Sequence, residues 1–370
     1  MSTVRIISKP VAPPWNDASK NLVRVHLVHA SRFAYRFFGT PDSRTLERER
    51  VSCDLVHRKP SRFAPSATEN LRPFLYLLLA RDDAAIDNYV FTPNRRTTAA
   101  LRILADRRRR PTVHTVCSRP AKTDDPGRVF FADRNVTMSD HSARILRDAG
   151  VNSVTRIYPG IEEPVVDAAA VQQLRSVCEL PEGRPCIVFS GDYEFSNAHP
   201  TILGALPDML RAEPELKFVF ACRPKTHAAG AIEQSVRAAV SRESWARSVT
   251  FLGDIPSFHS LLALSTAVVF PVTSLSHKMD LPLTLIEAMA LGRPIVVSDV
   301  GPLHELLPEE AGSLIPASDP AALARACIEI LRDGRAAGQM GAAGRRIAGT
   351  RFSGSRMVSE FESLYSDLLR

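Results

Sequence analysis

Residues 268–307 read VVFPVTSLSHKMDLPLTLIEAMALGRPIVVSDVGPLHELL. The β-branched run before Pro271 predicts a buried strand, and a second such run predicts another over Pro294–Val297. Between them Pro282 stands at the start, and Gly292 at the end, of an apolar stretch over 283–291. That is the punctuation of a helix, with Glu287 one turn in. Gly301 then precedes a further helix near 302–307. Such a helix leaves backbone N–H groups near Leu283–Leu285 without partners. They lie beyond the carboxyl end of a strand, where open α/β sheets bind ligands.

The same alternation extends over the chain and predicts parallel sheets covered by helices on both faces. In the first half, strands are expected at Val4–Ser8, Val51–Val56, Asn88–Thr92, Thr112–Cys117, Asn135–Met138 and Val154–Tyr158. Helices are expected near 17–38, 69–81, 95–108 and 140–149. Tyr158-Pro159-Gly160 interrupts the pattern. Beyond it strands are expected at Cys186–Ser190, Lys217–Ala221, Thr250–Leu252, Ala267–Phe270, Pro294–Val297 and Gly312–Ile315. The expected division is a first Rossmann-like domain over 1–163, a second over 164–352, and a last helix over 353–370 that packs back on the first.

A chain of 370 residues, 45% hydrophobic and 24% charged, is long enough for two cores and too apolar for disorder. Six scattered cysteines without a C-x-x-C pair suit reduced thiols and a cytoplasmic setting. The N-terminus lacks the apolar core of a signal peptide. Charge is uneven: residues 1–165 hold 28 Lys and Arg against 17 Asp and Glu, the remainder 19 against 23. The basic half suits an anionic acceptor or the inner face of a membrane, although a merely solvated surface reads equally well. The Arg107–Arg110 run ends a helix, where cations suit the dipole and face water.

Neither G-x-G-x-x-G after the first strand nor G-x-x-x-x-G-K-[ST] is present, which removes the main support for dinucleotide and P-loop readings. G-x-S-x-G, H-E-x-x-H and D-x-D are also missing. A bound diphosphate would have to be neutralised by backbone N–H groups and by Lys or Arg.

The opening segment resembles the signature of glycosyltransferase family 4, E-x-F-G-L-P-x-x-E-A-M-A-x-G-x-P-V-V-x-S-D. Asp280, Leu281, Pro282, Glu287, Ala288, Met289, Ala290, Gly292, Pro294, Ser298, Asp299, Gly301 and Glu305 carry the likeness, while Met279 stands at the family's first acidic place. The resemblance implies a GT-B fold, two Rossmann-like domains facing each other across a cleft. It implies retaining transfer from a nucleotide-diphosphate sugar (the EC 2.4 class), with no metal and no cofactor beyond the donor. Glu287 would hold the donor's ribose hydroxyls, with Pro282, Thr284 and Leu285 beside it. Asp280 is a candidate for sugar contact and, with Asp17, for catalysis.

Residues 186–225 resemble the opening of the family's nucleotide-binding domain, with Gly191 in its first loop. That loop, Gly191–Asn197, lacks the family's Arg and Lys, so the phosphate role passes to Arg223 and Lys225, with Lys278 as a third candidate. Residues 250–271 resemble the stretch near the base, where Ile255 would face it. Residues 4–24 resemble the opening strand and loop, with Asn16-Asp17-Ala18-Ser19 where glycines usually stand. Asn16 and Asp17 would face donor phosphate or acceptor, or else cap the next helix. Cys117 takes the place of a functional His, with Ser118 beside it, and His114 reads as a packed strand residue. Other readings are a non-catalytic member, a nucleotide-sugar epimerase, or an anionic-surface or nucleic-acid binding protein. No motif supports nucleic acid as a partner.

Overall fold

The computed structural model describes residues 1–59, 67–79, 84–118, 126–224, 226–276 and 278–370. It divides into two units: Met1–Glu162 with His277–Asp280 and Arg351–Arg370, and Glu163–Ser276 with Leu281–Thr350.

In the first unit the chain runs β1 (Thr3–Ile7), α1 (Ala18–Val28), β2 (Ala34–Phe38), β3 (Val51–Asp54), α2 (Ala67–Leu79), β4 (Ile86–Val90), α3 (Arg95–Arg108), β5 (Thr112–Val116), α4 (Pro126–Val129), β6 (Arg134–Thr137), α5 (Asp140–Asp148) and β7 (Val154–Arg156). The seven strands form a parallel sheet in the order β3-β2-β1-β4-β5-β6-β7. Pairs such as Val4↔Tyr35 and Asn88↔Val113 fix its register. One face packs Ile7, Phe38 and Tyr89 against Leu77 of α2 and Leu101 and Leu104 of α3.

The expected single helix over 17–38 is corrected: α1 stops at Val28 and β2 begins at Ala34. No Gly or Pro marks the break. Aromatic Phe33, Tyr35 and Phe37 nevertheless alternate at the strand period, and all three are buried.

The arginine run is corrected too. Arg107 and Arg109 face water, but Arg108 turns inward, its Nε 3.1 Å from an oxygen of fully buried Asp87. Arg110 approaches the same carboxylate at 4.0 Å. A buried carboxylate needs such partners, and this one takes them from the helix end that sequence reading left in solvent.

The second unit runs α6 (Ala168–Val177), β8 (Cys186–Phe189), α7 (His199–Ala212), β9 (Lys217–Ala221), α8 (His227–Val240), β10 (Val249–Leu252), α9 (Phe258–Leu264), β11 (Ala267–Phe270), α10 (Leu283–Ala290), β12 (Ile295–Ser298), β13 (Gly312–Ile315), α11 (Pro320–Arg332) and α12 (Gly334–Arg351). The helix expected near 302–307 is a 3-10 turn, Leu303–Leu306. The six strands are parallel, in the order β10-β9-β8-β11-β12-β13. Their centre is fully buried, as in Ile187, Val188, Val268, Val269, Val296 and Val297, and that is why these stretches read as continuous apolar runs.

Helix α12 crosses close to the end of α10. A Cβ on Gly341 would lie 2.2 Å from the carbonyl oxygen of Gly292, itself at φ +68°. Gly341→Ala is expected to cost about 1–3 kcal/mol through forced backbone movement. Gly338→Ala meets nothing within 4 Å, so it should be neutral or stabilise by up to about 1 kcal/mol. Urea unfolding of the two variants separates crowding from helix propensity.

The last helix, α13 (Gly354–Leu368), belongs to the first unit and packs on α1. Ile161 and Ser353 form a parallel bridge, with Ile161 N–H donating to Phe352 O at 2.9 Å and Gly354 N–H to Ile161 O at 3.0 Å. Among the described residues, no helix is long and apolar enough to cross a membrane.

Candidate functional site

In the second sheet the strand order reverses between β8 and β11. The loops leaving the carboxyl ends of these two strands therefore define its switch point, the place where such sheets bind ligands. Loop 190–198 is tied together by its own hydrogen bonds. The Asp192 carboxylate accepts the Phe195 and Ser196 amides at 2.5 and 3.2 Å, and the Ser196 hydroxyl donates to Asp192 O at 2.6 Å. Gly191 is required by packing, since a Cβ there would sit 2.4 Å from the Phe189 ring. Thr273 N–H donates to Ser196 O at 2.9 Å, joining this loop to the one after β11. Ser298, at the end of β12, donates its hydroxyl to Val272 O at 2.5 Å.

That second loop leads into α10 through Pro282 at the N-cap, with φ −60° and ψ 125° and no side-chain cap. Leu285 N–H turns back to Pro282 O at 3.1 Å. The amides of Leu283 and Thr284 precede the first position an intrahelical bond can reach, and they carry the positive end of the helix dipole. Leu283, Leu285, Ile286, Ala288 and Met289 are buried and fix the rotation of the helix. Thr284 and Glu287, three residues apart, share the face left partly open.

Glu287 is 14% exposed, and its Oε1 lies 3.6 Å from Nε2 of His259 on α9. Nδ1 of that imidazole accepts the Val165 amide at 3.2 Å. The ring proton is thereby assigned to Nε2, on the side of Glu287. Sequence reading missed His259, because a lone histidine in an apolar helix gives no signal of the carboxylate it will meet.

Arg223 follows β9, its Nη1 3.8 Å from the exposed carboxylate of Asp254 in the loop after β10. Lys225 lies outside the described residues. Ile255 is half-buried, two residues beyond Gly253. The Thr226 hydroxyl caps α8 through Ala229 N–H and also hydrogen-bonds Glu194, a link between the β8 and β9 loops that the sequence did not signal.

The remaining candidates belong to the first unit. Asp280 was read as a donor contact of the second domain, but it groups with the first unit. Its Oδ2 accepts the Ser139 hydroxyl at 2.6 Å, and its amide donates to Cys117 O at 3.3 Å. Met279 beside it is 7% exposed, so an apolar side chain fills the family's acidic place. Lys278 is half-buried in the same segment. Asp17 caps α1, accepting from the Ser19 and Lys20 amides at 3.0 and 3.2 Å and from Lys9 Nζ at 2.5 Å. Burial alone would raise its pKa, but the Lys9 ammonium and these hydrogen bonds bring it down to about 2. So acidic a carboxylate is a weak proton acceptor. Asn16 precedes this cap. Ser118, after β5, shares a 2.6 Å hydroxyl–hydroxyl contact with Thr92 after β4. His114 is fully buried against the Phe91 ring at 4.3 Å, and burial lowers its pKa to about 4. The thiol of Cys117 is pushed up to about 12 by burial.

Residues 184–333 match the family model described as "Glycosyl transferases group 1". The matched span runs from just before β8 to just after α11, and over it the chain is similar to group 1 glycosyl transferases. Over 123 residues the chain is 32% identical to an N-acetyl-alpha-D-glucosaminyl L-malate synthase of Bacillus anthracis, covering 33% of this chain and 31% of that one. Over 205 residues it is 27% identical to a phosphatidyl-myo-inositol mannosyltransferase of Mycobacterium leprae, covering 54% of this chain and 50% of that one. The matches thus span half or less of these relatives' own lengths.

Likeness of fold reaches further. Anabaena HepE, solved with UDP and glucose, matches 99% of this chain and 100% of its own, with a TM-score of 0.75 at 15% identity. The catalytic domain of Arabidopsis starch synthase IV, bound to ADP and acarbose, matches 100% of both chains, also at 0.75 and with 14% identity. The chain has the GT-B fold, two Rossmann-like units, and the second unit carries Glu287 on α10 at its switch point.

Proposed function

We propose that this protein is a retaining glycosyltransferase that works without a metal, moving a sugar from a nucleotide-diphosphate donor to an acceptor hydroxyl. The observation that carries this reading is the start of α10, where bare amides at Leu283 and Thr284 precede a confined carboxylate, Glu287, at the switch point of a glycosyl transferase domain. Glu287 binds the ribose hydroxyls, with the His259 N–H fixing its orientation. The α10 amides, Arg223, Lys225 and Lys278 neutralise the diphosphate, the Gly191 loop closes over it, and the backbone near Ile255 meets the base. Asn16, Asp17, Ser118 and Asp280 serve the sugar and acceptor side.

In the transfer the bond from the anomeric carbon to the diphosphate oxygen breaks. A bond to the acceptor oxygen forms on the same face, and the acceptor proton passes to the departing phosphate. With Asp17 held as a weak base, the leaving group is the better proton acceptor. The enzyme's contribution is to stabilise charge on that diphosphate. HepE and starch synthase IV were solved with UDP and ADP respectively, so uridine and adenosine donors head the candidates. The acceptor is a glycan, lipid or small molecule. The basic first half suits an anionic acceptor or peripheral contact with the inner membrane face.

A thermal-shift panel of UDP-, GDP-, ADP- and dTDP-sugars tests this reading. One donor at a hundredfold its Kd should stabilise the wild type by about 2.7 kcal/mol, and Glu287→Ala should lose most of that. No response to any donor overturns the enzymatic reading. An equal response in the variant moves the ribose site elsewhere.

A further inference from the structure

On α2, Leu71, Leu75 and Leu79 are 52%, 44% and 77% exposed. Their spacing of four keeps them within one narrow stripe of the helix. The opposite side is the packed one, since Leu77 is 1% exposed and joins the core with Ile7, Phe38 and Tyr89. Among the described residues, nothing covers this row of leucines, which lies opposite an already packed core face. Single exposed apolar residues need no explanation, but a contiguous stripe does.

The neighbouring helix gives the stripe a chemical context. α3 packs beside α2, and Arg108 Nη1 donates to Leu77 O at 2.7 Å. Thr98, Leu101 and Leu104 bury one side of α3. The other side exposes Arg95, Arg96 and Arg107, with Ile103 at 64% exposure and Asp106 as its acid, while Arg102 beside them donates from Nη2 to Phe130 O at 3.3 Å. Arg72 is exposed on α2 next to the leucine stripe. Leu55, 45% exposed, follows Asp54, which hydrogen-bonds Tyr76 of α2. An apolar stripe and an arginine row therefore stand side by side on one face of the first sheet.

We propose that this α2–α3 face docks on an anionic lipid bilayer, with Leu71, Leu75 and Leu79 entering the boundary between headgroups and acyl chains and the α3 arginines meeting lipid phosphates. The proposal gives the peripheral-membrane reading its surface, and it does not depend on the sugar chemistry. A polar protein partner would match the arginines but not the leucines, and a neutral apolar partner the reverse. A bilayer surface bearing anionic headgroups satisfies both, because it offers hydrocarbon a few ångströms below its charge.

The test is co-sedimentation of the full chain with vesicles of phosphatidylcholine alone or with about one-third phosphatidylglycerol. The wild type should sediment with the anionic vesicles, leave them as salt rises, and ignore the neutral ones. L71S/L75S/L79S should lower the partition coefficient roughly tenfold or more. R95Q/R96Q/R107Q should abolish the preference for anionic lipid. All six side chains are exposed, so both variants should keep the wild-type circular dichroism spectrum. Val177→Ser, a comparably exposed apolar site on α6, should bind as the wild type does. No binding by the wild type, or equal binding by the leucine variant, overturns the proposal. So does a concentration-dependent dimer that becomes monomeric in the leucine variant, which would assign the face to a second copy of the chain.

Discussion

Replacing Glu362 by alanine is expected to cost the chain about 3 kcal/mol. Glu362 lies on α13, fully buried, and its two oxygens collect donors from a segment 330 residues earlier in sequence. The Ser31 amide and hydroxyl approach at 2.9 and 2.6 Å, the Arg32 amide at 3.0 Å and the Tyr35 hydroxyl at 3.1 Å. Burial alone would raise its pKa, yet these hydrogen bonds outweigh it and hold the carboxyl below its ordinary value. Alanine would strand the buried Tyr35 hydroxyl and two backbone N–H groups at the start of β2.

Arg32 offers the control. Its side chain is 52% exposed and meets Glu362 at 3.3 Å, so Arg32→Ala should cost less than about 1 kcal/mol. Urea unfolding measures both. A loss below about 1 kcal/mol for Glu362→Ala would show that water replaces the carboxylate, and that α13 is held by its apolar side alone. Glu362→Gln should fall between the two, because it keeps the volume but turns an amino group toward donors.

This contact also explains where sequence reading failed. Ala18 to Phe38 contains neither Gly nor Pro, and its apolar residues fit a helical period well enough to suggest one long helix. What ends α1 at Val28 is remote. His29, at the C-cap, meets Glu162 at 2.6 Å, and Glu362 collects the amides of Ser31 and Arg32. Local propensity is a weak prior against partners supplied from the other end of the chain. The central strands of the second sheet were legible for the opposite reason. β8, β11 and β12 are buried along their whole length and read as continuous apolar runs.

The candidate site divides along the same line. Pro282, Glu287 and Gly292 form a local pattern, and the structure gives them the helix that the pattern implies. Asp280, two residues before that pattern, groups with the first unit and bonds Ser139 and Cys117, partners that no local pattern signals. Arg108 looked solvated and instead meets Asp87 of β4. In both cases the partners are one or two polar atoms distant in sequence, and such atoms leave no periodicity behind.

Acidification from pH 7 to pH 4 is expected to destabilise the first unit by several kcal/mol through two buried histidines. His26 on α1 is enclosed by Tyr35, Phe361 and Tyr365, with ring centroids 5.1, 4.7 and 6.1 Å away. Burial lowers its pKa to about 4, against the smaller opposing pull of Glu362. His114 is buried with Phe91 and also falls to about 4, although its bond to Phe91 O works the other way. Both folded values lie below the unfolded value of 6.5. The unfolded chain therefore binds protons first as pH falls. Stability is complete above about pH 6.5, is lost between there and about pH 4, and changes no further below through these two groups. Each ring contributes on the order of 3 kcal/mol over that window. Asp17, depressed to about 2, adds a loss only below its unfolded value of 3.8. His26→Phe keeps an aromatic ring among aromatic neighbours and removes one titration. The variant should match or exceed wild-type stability at pH 5 and roughly halve the slope of unfolding free energy between pH 6.5 and pH 4. An unchanged slope would mean that water reaches the His26 ring in the folded chain, and that the acid sensitivity has another source.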